Sequence, residues 1–194
     1  MKKLLTILAV VLPLTGITAQ KSSLECTFKG IDKDTRIVVS EAQGGRLVPT
    51  DTLTPNAKGR IDVTRAVADP LMLTLSLTNT KGVMLHVILL PKEKVNLEVN
   101  YMPALNLLDI TSAKGSENMK LYKSYTNMVT ELATNQQTEQ IAERMEALLS
   151  ANSGVLMSAF LVTFFEQQFD QYVLLYKKIR DDVSDWYDKI FNNY

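Results

Sequence analysis

The spacing of the apolar residues changes once along this 194-residue chain, between Ile110 and Tyr125. Before this stretch, apolar residues recur at every second position, which is the period of a β-strand with one buried face. After it, they recur every three or four positions, which is the period of a helix packed along one side. The pattern predicts an α+β protein, with an antiparallel β domain over residues 20–113 and a helical region over residues 114–194.

The first half contains seven or eight short apolar segments that are separated by polar turns. This number and spacing are typical of an antiparallel β-sandwich or a partly open barrel. Gly44 and Gly45 mark one turn, and turn-forming residues between Leu53 and Ile61 predict a hairpin there. The segment 83–90 is nearly all apolar, so we expect a strand that is covered on both faces or lies centrally.

The second half is predicted to form three or four helices that pack on the β domain or follow it. Ser116 is a candidate N-cap of the first helix, because its hydroxyl can accept a bond from a free backbone N–H group. Apolar stripes indicate helices around 121–132 and 141–149. The segment 155–169 is apolar around most of its circumference, and a further helix is expected over 172–190.

The first 19 residues have the pattern of a secretory signal peptide. Lys2 and Lys3 precede an apolar run of about ten residues, and the segment ends with small residues up to Ala19. The run is too short to span a bilayer, so we expect cleavage and export to the periplasm or cell surface, with no membrane span afterwards. The 21 basic and 21 acidic residues balance, which gives no reason to expect a nucleic acid partner.

Cys26 is the only cysteine and His86 the only histidine of the chain. Cys26 shares a strand face with Leu24 and Phe28, so we interpret it as a small buried residue; the alternative is a thiol used between chains. His86 lies within an apolar run, where a hydrogen-bonded structural histidine is expected, and it has no second ligand nearby for a metal. The sequence indicates no metal site and no cofactor.

Three pairs of acidic residues are candidates for acid–base chemistry: Asp32 with Asp34, Asp51 with Asp62, and Glu166 with Asp170. The first two pairs lie in or beside turns, where Asp bonds to its own backbone, and the third has no cationic or histidine partner. The sequence contains no nucleophile elbow and no phosphate-binding loop. We therefore predict no catalytic residue, and we assign the aromatic residues from Phe160 to Trp186 to the core rather than to a ligand groove.

Four short motifs follow one another along the chain: FKGI at 28–31, DTL at 51–53 with KGRI at 58–61, the expected hairpin HVILLPKEKVNLEV at 86–99, and GSEN at 115–118. In these motifs the chain resembles the N-terminal domain of unknown function that precedes TlpA-type thioredoxin-like domains in Bacteroidetes envelope proteins. The resemblance implies an accessory module with a protein partner, which is itself thioredoxin-like. Relatives use a Cys-x-x-Cys motif for redox chemistry; with one cysteine, this sequence has none, and no catalytic residue is carried over.

The motif Asp51-Thr52-Leu53 also resembles the Asp-Thr-apolar acceptor that some Bacteroidetes use for O-glycosylation, which makes Thr52 a candidate glycosylation site. Three functional hypotheses follow. The chain is a non-catalytic exported interaction module; or it is the front of a thiol–disulfide oxidoreductase whose Cys-x-x-Cys domain is absent; or it binds a small apolar or glycan ligand between the β domain and the aromatic helices.

Overall fold

The computed structural model describes residues 19–43 and 46–166, and over these residues the protein is α+β. The strands are β1 (Gln20–Lys29), β2 (Ile37–Gln43), β3 (Arg46–Leu53), β4 (Arg60–Val67), β5 (Leu71–Leu77), β6 (Met84–Leu89), β7 (Lys94–Met102) and β8 (Leu107–Lys114). The helices are α1 (Glu117–Thr134), α2 (Ile141–Ala151) and α3 (Leu156–Glu166), with a 3-10 turn at Thr138–Gln140. The expected leader up to residue 18, the glycine turn at 44–45 and the last helix at 172–190 lie outside the described residues.

The strands form two four-stranded sheets that do not close into a barrel. The first has the order β4-β1-β7-β8 and the second β3-β2-β5-β6. The expectation of a wholly antiparallel domain is wrong at one place, because β1 and β7 pair in parallel, with Cys26 opposite Leu97. Alternating apolar residues indicate that a strand has one buried face, whether it pairs in parallel or antiparallel. The sequence pattern therefore could not predict the parallel pair.

The predicted hairpin between Leu53 and Ile61 is also wrong, because β3 and β4 belong to different sheets. The Asn56 side chain accepts bonds from the backbone N–H groups of residues 58 and 60 at 2.9 and 3.1 Å. Gly59 then adopts φ +77°, and its carbonyl accepts a bond from the Phe28 N–H at 2.9 Å. This tight turn therefore docks on β1 and delivers β4 to the first sheet, instead of returning the chain along β3.

The expected hairpin at 86–99 is likewise a crossing between sheets, since β6 pairs with β5 while β7 pairs with β1 and β8. Glu93 holds the crossing by accepting a bond from the Leu90 N–H at 2.9 Å. The Leu90 carbonyl accepts a bond from the Ser22 hydroxyl at 2.7 Å, which fixes the crossing to the start of β1. Pro, Lys and Glu at 91–93 suit a hairpin and a crossing equally, so local turn chemistry did not distinguish them.

Both sheets and all three helices contribute to one apolar core. β6 is an edge strand rather than a central one, yet Val87, Ile88 and Leu89 are fully buried. The prediction of a strand covered on both faces is therefore confirmed for this second half of β6, where His86 contacts Phe160 of α3, but it is wrong at Met84, which is 44% exposed. The first helix begins as predicted: the Ser116 hydroxyl accepts a bond from the Met119 N–H at 3.4 Å.

A buried side chain near the start of α1 holds α1 and α3 together. Asn118 is almost fully buried, and its Oδ1 accepts a bond from the Met157 N–H at 2.9 Å, where α3 begins. This bond satisfies a backbone donor that the first turn of a helix otherwise leaves unpaired. From Leu156 to Val162 every side chain of α3 is buried, in agreement with its apolar circumference. Among the described helices, none has the length and apolar content needed to cross a bilayer.

An ion cluster joins the two sheets along their β3 and β4 edges. From β4, the Arg65 Nε donates to Glu41 Oε1 of β2 at 2.6 Å. Its Nη2 donates to Thr50 Oγ1 at 2.9 Å and to the Asp51 carboxylate, both on β3. These bonds raise the pKa of Arg65 although its partial burial opposes that shift. Charge-assisted bonds from one planar guanidinium thus hold the edges of both sheets together.

Candidate functional site

Two adjoining cavities lie where the helical half meets the second sheet. The first, of about 240 Å³, lies between the β5–β6 turn, the start of β8 and the outer part of α1. The second, of about 170 Å³, reaches His86 of β6 and Phe160 and Leu161 of α3. We call their combined surface the aromatic groove. Four residues line both cavities: Gly82, Met84, Tyr122 and Tyr125.

Two tyrosines one helical turn apart on α1 form a stacked pair in the aromatic groove. The rings of Tyr122 and Tyr125 are nearly parallel, at 8°, with centroids 5.9 Å apart. Burial raises the pKa of Tyr122 to about 12, and burial also raises the pKa of Tyr125. Both hydroxyls are therefore neutral at physiological pH. Opposite them, Met84 leaves 44% of its surface exposed, so a flexible apolar side chain borders the opening.

His86 forms the inner part of the aromatic groove. Its ring centroid lies 4.9 Å from that of Phe160, and its Nδ1 lies 3.0 Å from Thr74 Oγ1. Burial lowers the pKa of His86 to about 4, so the ring is neutral near pH 7. The expectation of a hydrogen-bonded structural histidine is confirmed. A neutral imidazole between an aromatic ring and a hydroxyl contributes shape to the groove rather than charge.

Cys26 lies in the middle of β1 and is buried in the core, as its strand face predicted. Burial raises the pKa of its thiol strongly. Since the thiolate is the reactive form, the folded protein does not present this sulfur for exchange. Use of Cys26 between chains would require β1 to leave the core.

Asp51 and Asp62 do not form an acid–base pair, because their carboxylates bond to two different arginines. Asp62 bonds to Arg60, with Oδ1 2.7 Å from Nη2, whereas Asp51 belongs to the Arg65 ion cluster. Asp32 lies in the β1–β2 loop, where its carbonyl accepts a bond from the Thr35 N–H at 3.0 Å. The Asp170 position and the Glu166 side chain lie outside the described part. Thr52 is exposed on edge strand β3, and its glycosylation stays a prediction.

The sequence suggested a ligand between the β domain and the aromatic helices, but it did not identify the residues that line the aromatic groove, because its two walls are distant in the chain and each one suggests a different role. Tyr122 and Tyr125 belong to the apolar stripe that predicted a core-facing helix. Gly82 and Asn106 belong to the β5–β6 and β7–β8 turns. Thr130 also lines the groove, but its Oγ1 is buried away from the groove surface and has no hydrogen-bond partner among the described residues. None of these positions carries a signal of binding by itself.

Within residues 19–43 and 46–166, no group of three or more His, Cys, Asp or Glu side chains is placed to hold a metal ion. Comparison of the chain with protein-family models, with curated proteins and with solved structures found no match. The aromatic groove is therefore interpreted from its own geometry.

Proposed function

We propose that this chain is an exported, non-catalytic interaction module that binds an apolar side chain of an envelope protein in the aromatic groove. The observation that carries the proposal is the stacked pair of Tyr122 and Tyr125 facing exposed Met84 at an open groove. Aromatic and methionine side chains are enriched where proteins bind partners, because they offer a large apolar surface at a small loss of conformational freedom. In this proposal the two sheets form a β-sandwich that supports the groove.

The size of the aromatic groove suits one or two protein side chains. The two cavities have volumes of about 240 and 170 Å³. Because they adjoin, together they reach only the lower end of the roughly 300–1,000 Å³ range of small-ligand pockets. One or two side chains inserted from a partner surface fit this size, and the neutral lining adds no charge for which the partner must compensate.

A small ligand with an apolar body and one polar group is the second candidate. The observation that favours it is the cavity of about 170 Å³ lined by His86 and Phe160, which lies between the second sheet and α3, where a ligand between the β domain and the aromatic helices was hypothesised.

The partnership with a thioredoxin-like protein, and the alternative that the chain is the front of a thiol–disulfide oxidoreductase, rest on the family resemblance. Buried Cys26 supports a module without thiol chemistry of its own. A relation to a thioredoxin-like domain would then be one of positioning, with the reactive thiols on the partner or on further sequence.

Native mass spectrometry of the protein from the envelope fraction of its own host tests these alternatives together. A protein near the mature mass of roughly 20 kDa, with no covalently linked thioredoxin-sized domain, would favour the stand-alone interaction module. A larger species by one such domain would favour the oxidoreductase alternative, and a bound small molecule would favour the second candidate. A protein found only in the cytoplasm with residues 1–19 attached would contradict the proposal.

A further inference from the structure

The outer edge of β6 borders the aromatic groove, and the hydrogen bonds of the neighbouring strands show which of its backbone groups point outwards. The Thr78 N–H, directly after β5, donates to the Arg36 carbonyl at 3.0 Å, on the β2 side. Backbone groups of successive strand residues point to alternate sides, so Leu75 of β5 faces β6 and exchanges hydrogen bonds with Leu85, which lies opposite it. The even-numbered residues of β6 therefore point their N–H and C=O groups away from the sheet.

Two of these outward N–H groups have side-chain partners. The His86 N–H donates to the Tyr122 hydroxyl oxygen, and this bond opposes the rise of the pKa of Tyr122. The Leu90 N–H, just beyond the strand, donates to Glu93 Oε2 at 2.9 Å. Met84 differs, because within the described part of the chain it makes no backbone hydrogen bond outside the strand ladders, and it is 44% exposed. The sheet edge is therefore open at Met84.

The open edge and the aromatic groove adjoin each other. Met84 lines both cavities, and its side chain lies on the same face of β6 as that of His86, which packs against Phe160 in the groove. A residue that pairs with Met84 points its own side chain to this face as well. An open strand edge beside a pocket suits an extended peptide, whereas the backbone groups of a helix are already paired within the helix.

Two lysines next to the lining residues favour an acidic partner. The Lys81 carbonyl accepts a bond from the Asn106 side chain at 3.3 Å, and the Lys123 carbonyl accepts one from the Thr126 hydroxyl at 3.0 Å. Asn106 and Thr126 line the larger cavity, and no Asp or Glu lines either cavity. Neither lysine forms an ion pair with another described residue. Their charge therefore complements an acidic segment and disfavours a basic one.

We propose that the partner binds as an extended segment that pairs with the β6 edge at Met84, inserts one apolar side chain into the aromatic groove and carries an acidic residue close to it. This inference rests on the proposed function and adds to it the backbone conformation and the charge of the bound segment. The outward N–H and C=O of Met84 supply the main-chain hydrogen bonds, and the groove selects the side chain.

The test begins with a phage-displayed library of random dodecapeptides. Peptides are selected on the wild-type protein, and those that also bind the Tyr125→Ala variant are removed. The remaining peptides are expected to share an apolar residue with Asp or Glu close to it. In synthetic copies, N-methylation of one backbone position is expected to weaken binding about tenfold or more, because it removes an N–H group that pairs with β6. N-methylation of the adjacent positions, whose N–H groups point away from β6, should have little effect.

Three variants of β6 separate the backbone of the edge from its side chain. Met84→Pro removes the outward N–H, a change that an edge strand tolerates, whereas Met84→Ala keeps it. We expect Met84→Pro to bind the selected peptides about tenfold more weakly than Met84→Ala. Leu85→Pro removes an N–H that pairs with β5, so it should lower the melting temperature much more than Met84→Pro does.

The possible outcomes separate this inference from the proposed function. Peptides that require Tyr125 but tolerate N-methylation at every position would overturn the extended segment and leave the proposed function intact. Equal affinities of Met84→Pro and Met84→Ala would do the same, and equal melting temperatures of the two proline variants would overturn the assignment of the outward groups. Selected peptides without Asp or Glu would overturn the acidic partner. If no peptide distinguishes the wild type from Tyr125→Ala, both proposals fail.

Discussion

The stability of this protein is expected to fall on mild acidification because of one side chain, His86. Burial lowers its pKa from 6.5 to about 4, so the folded protein holds the ring neutral. The unfolded chain binds a proton at its ordinary pKa. Between these two values the unfolded state therefore carries more protons than the folded state, and lowering the pH favours unfolding. The stability that the protein gains by holding His86 neutral is complete above about pH 6.5, and it is lost progressively as the pH falls towards about 4.

The size of the effect follows from the two pKa values of His86. A difference of about 2.5 units corresponds to about 3 kcal/mol when the whole range is crossed, since one unit is worth about 1.4 kcal/mol. Between pH 7 and pH 5 the expected loss is about 2 kcal/mol, because the ring in the unfolded chain is then almost fully protonated. Glu93 acts in the opposite direction, since burial raises the pKa of its carboxyl group.

Urea unfolding at pH 7 and pH 5 measures this loss when the wild type is compared with His86→Gln. Glutamine does not titrate and keeps a polar group near Thr74, while Glu93 is present in both proteins and its contribution cancels. We expect the wild type to lose about 2 kcal/mol more than the variant over this interval. An equal loss in both proteins would refute the assignment of His86 as a buried neutral ring.

Three further predictions concern the packing of the core and of the two sheets. Arg65→Met should lower the free energy of unfolding by about 2 kcal/mol, because it leaves the half-buried Glu41 carboxylate unpaired. A double-mutant cycle with Glu41→Gln should show an interaction energy between the two positions. Strictly additive effects would contradict an ion cluster that joins the sheets. Gly59→Ala should cost about 2 kcal/mol or more in unfolding experiments, because the new Cβ would lie 2.2 Å from a β1 carbonyl oxygen. Gly82→Ala, with a similar φ but open space, isolates the backbone part of that cost, and equal losses would contradict the steric reason. A thiol reagent should block Cys26 far more slowly in the native protein than in urea, and equal rates would show that the thiol is accessible.

The order of the elements could be predicted from the sequence because hydrophobic period is a local property. The change of period after Ile110 correctly divided strands from helices, and Ser116 correctly marked the start of α1. Burial of Cys26 also followed from alternation along a single strand. Each of these features depends on residues within one turn or one strand of each other.

The pairing of the strands could not be predicted in the same way, because it depends on contacts between distant segments. Pro55 and Asn56 form a tight turn in either a hairpin or a crossing, and only the docking of Gly59 on β1 decides which one forms. The residues that line the aromatic groove could not be identified for the same reason, although a site between the β domain and the aromatic helices was hypothesised. Tyr122 is buried as its stripe predicted, yet it also lines the groove together with residues of the β5–β6 and β7–β8 turns, which are distant in the chain.

Site-specific photo-crosslinking in the native host envelope tests most directly whether the aromatic groove is the binding surface. A photoreactive phenylalanine replaces Met84 in the test protein and Leu47 in the control. Leu47 is a matched control because both side chains are 44% exposed, whereas Leu47 lies on β3, away from the groove. We expect one defined protein adduct from position 84, lost when Tyr125→Ala is added, and no such adduct from position 47. The same adduct from both positions, or an adduct at 84 that persists in the Tyr125→Ala variant, would contradict the account.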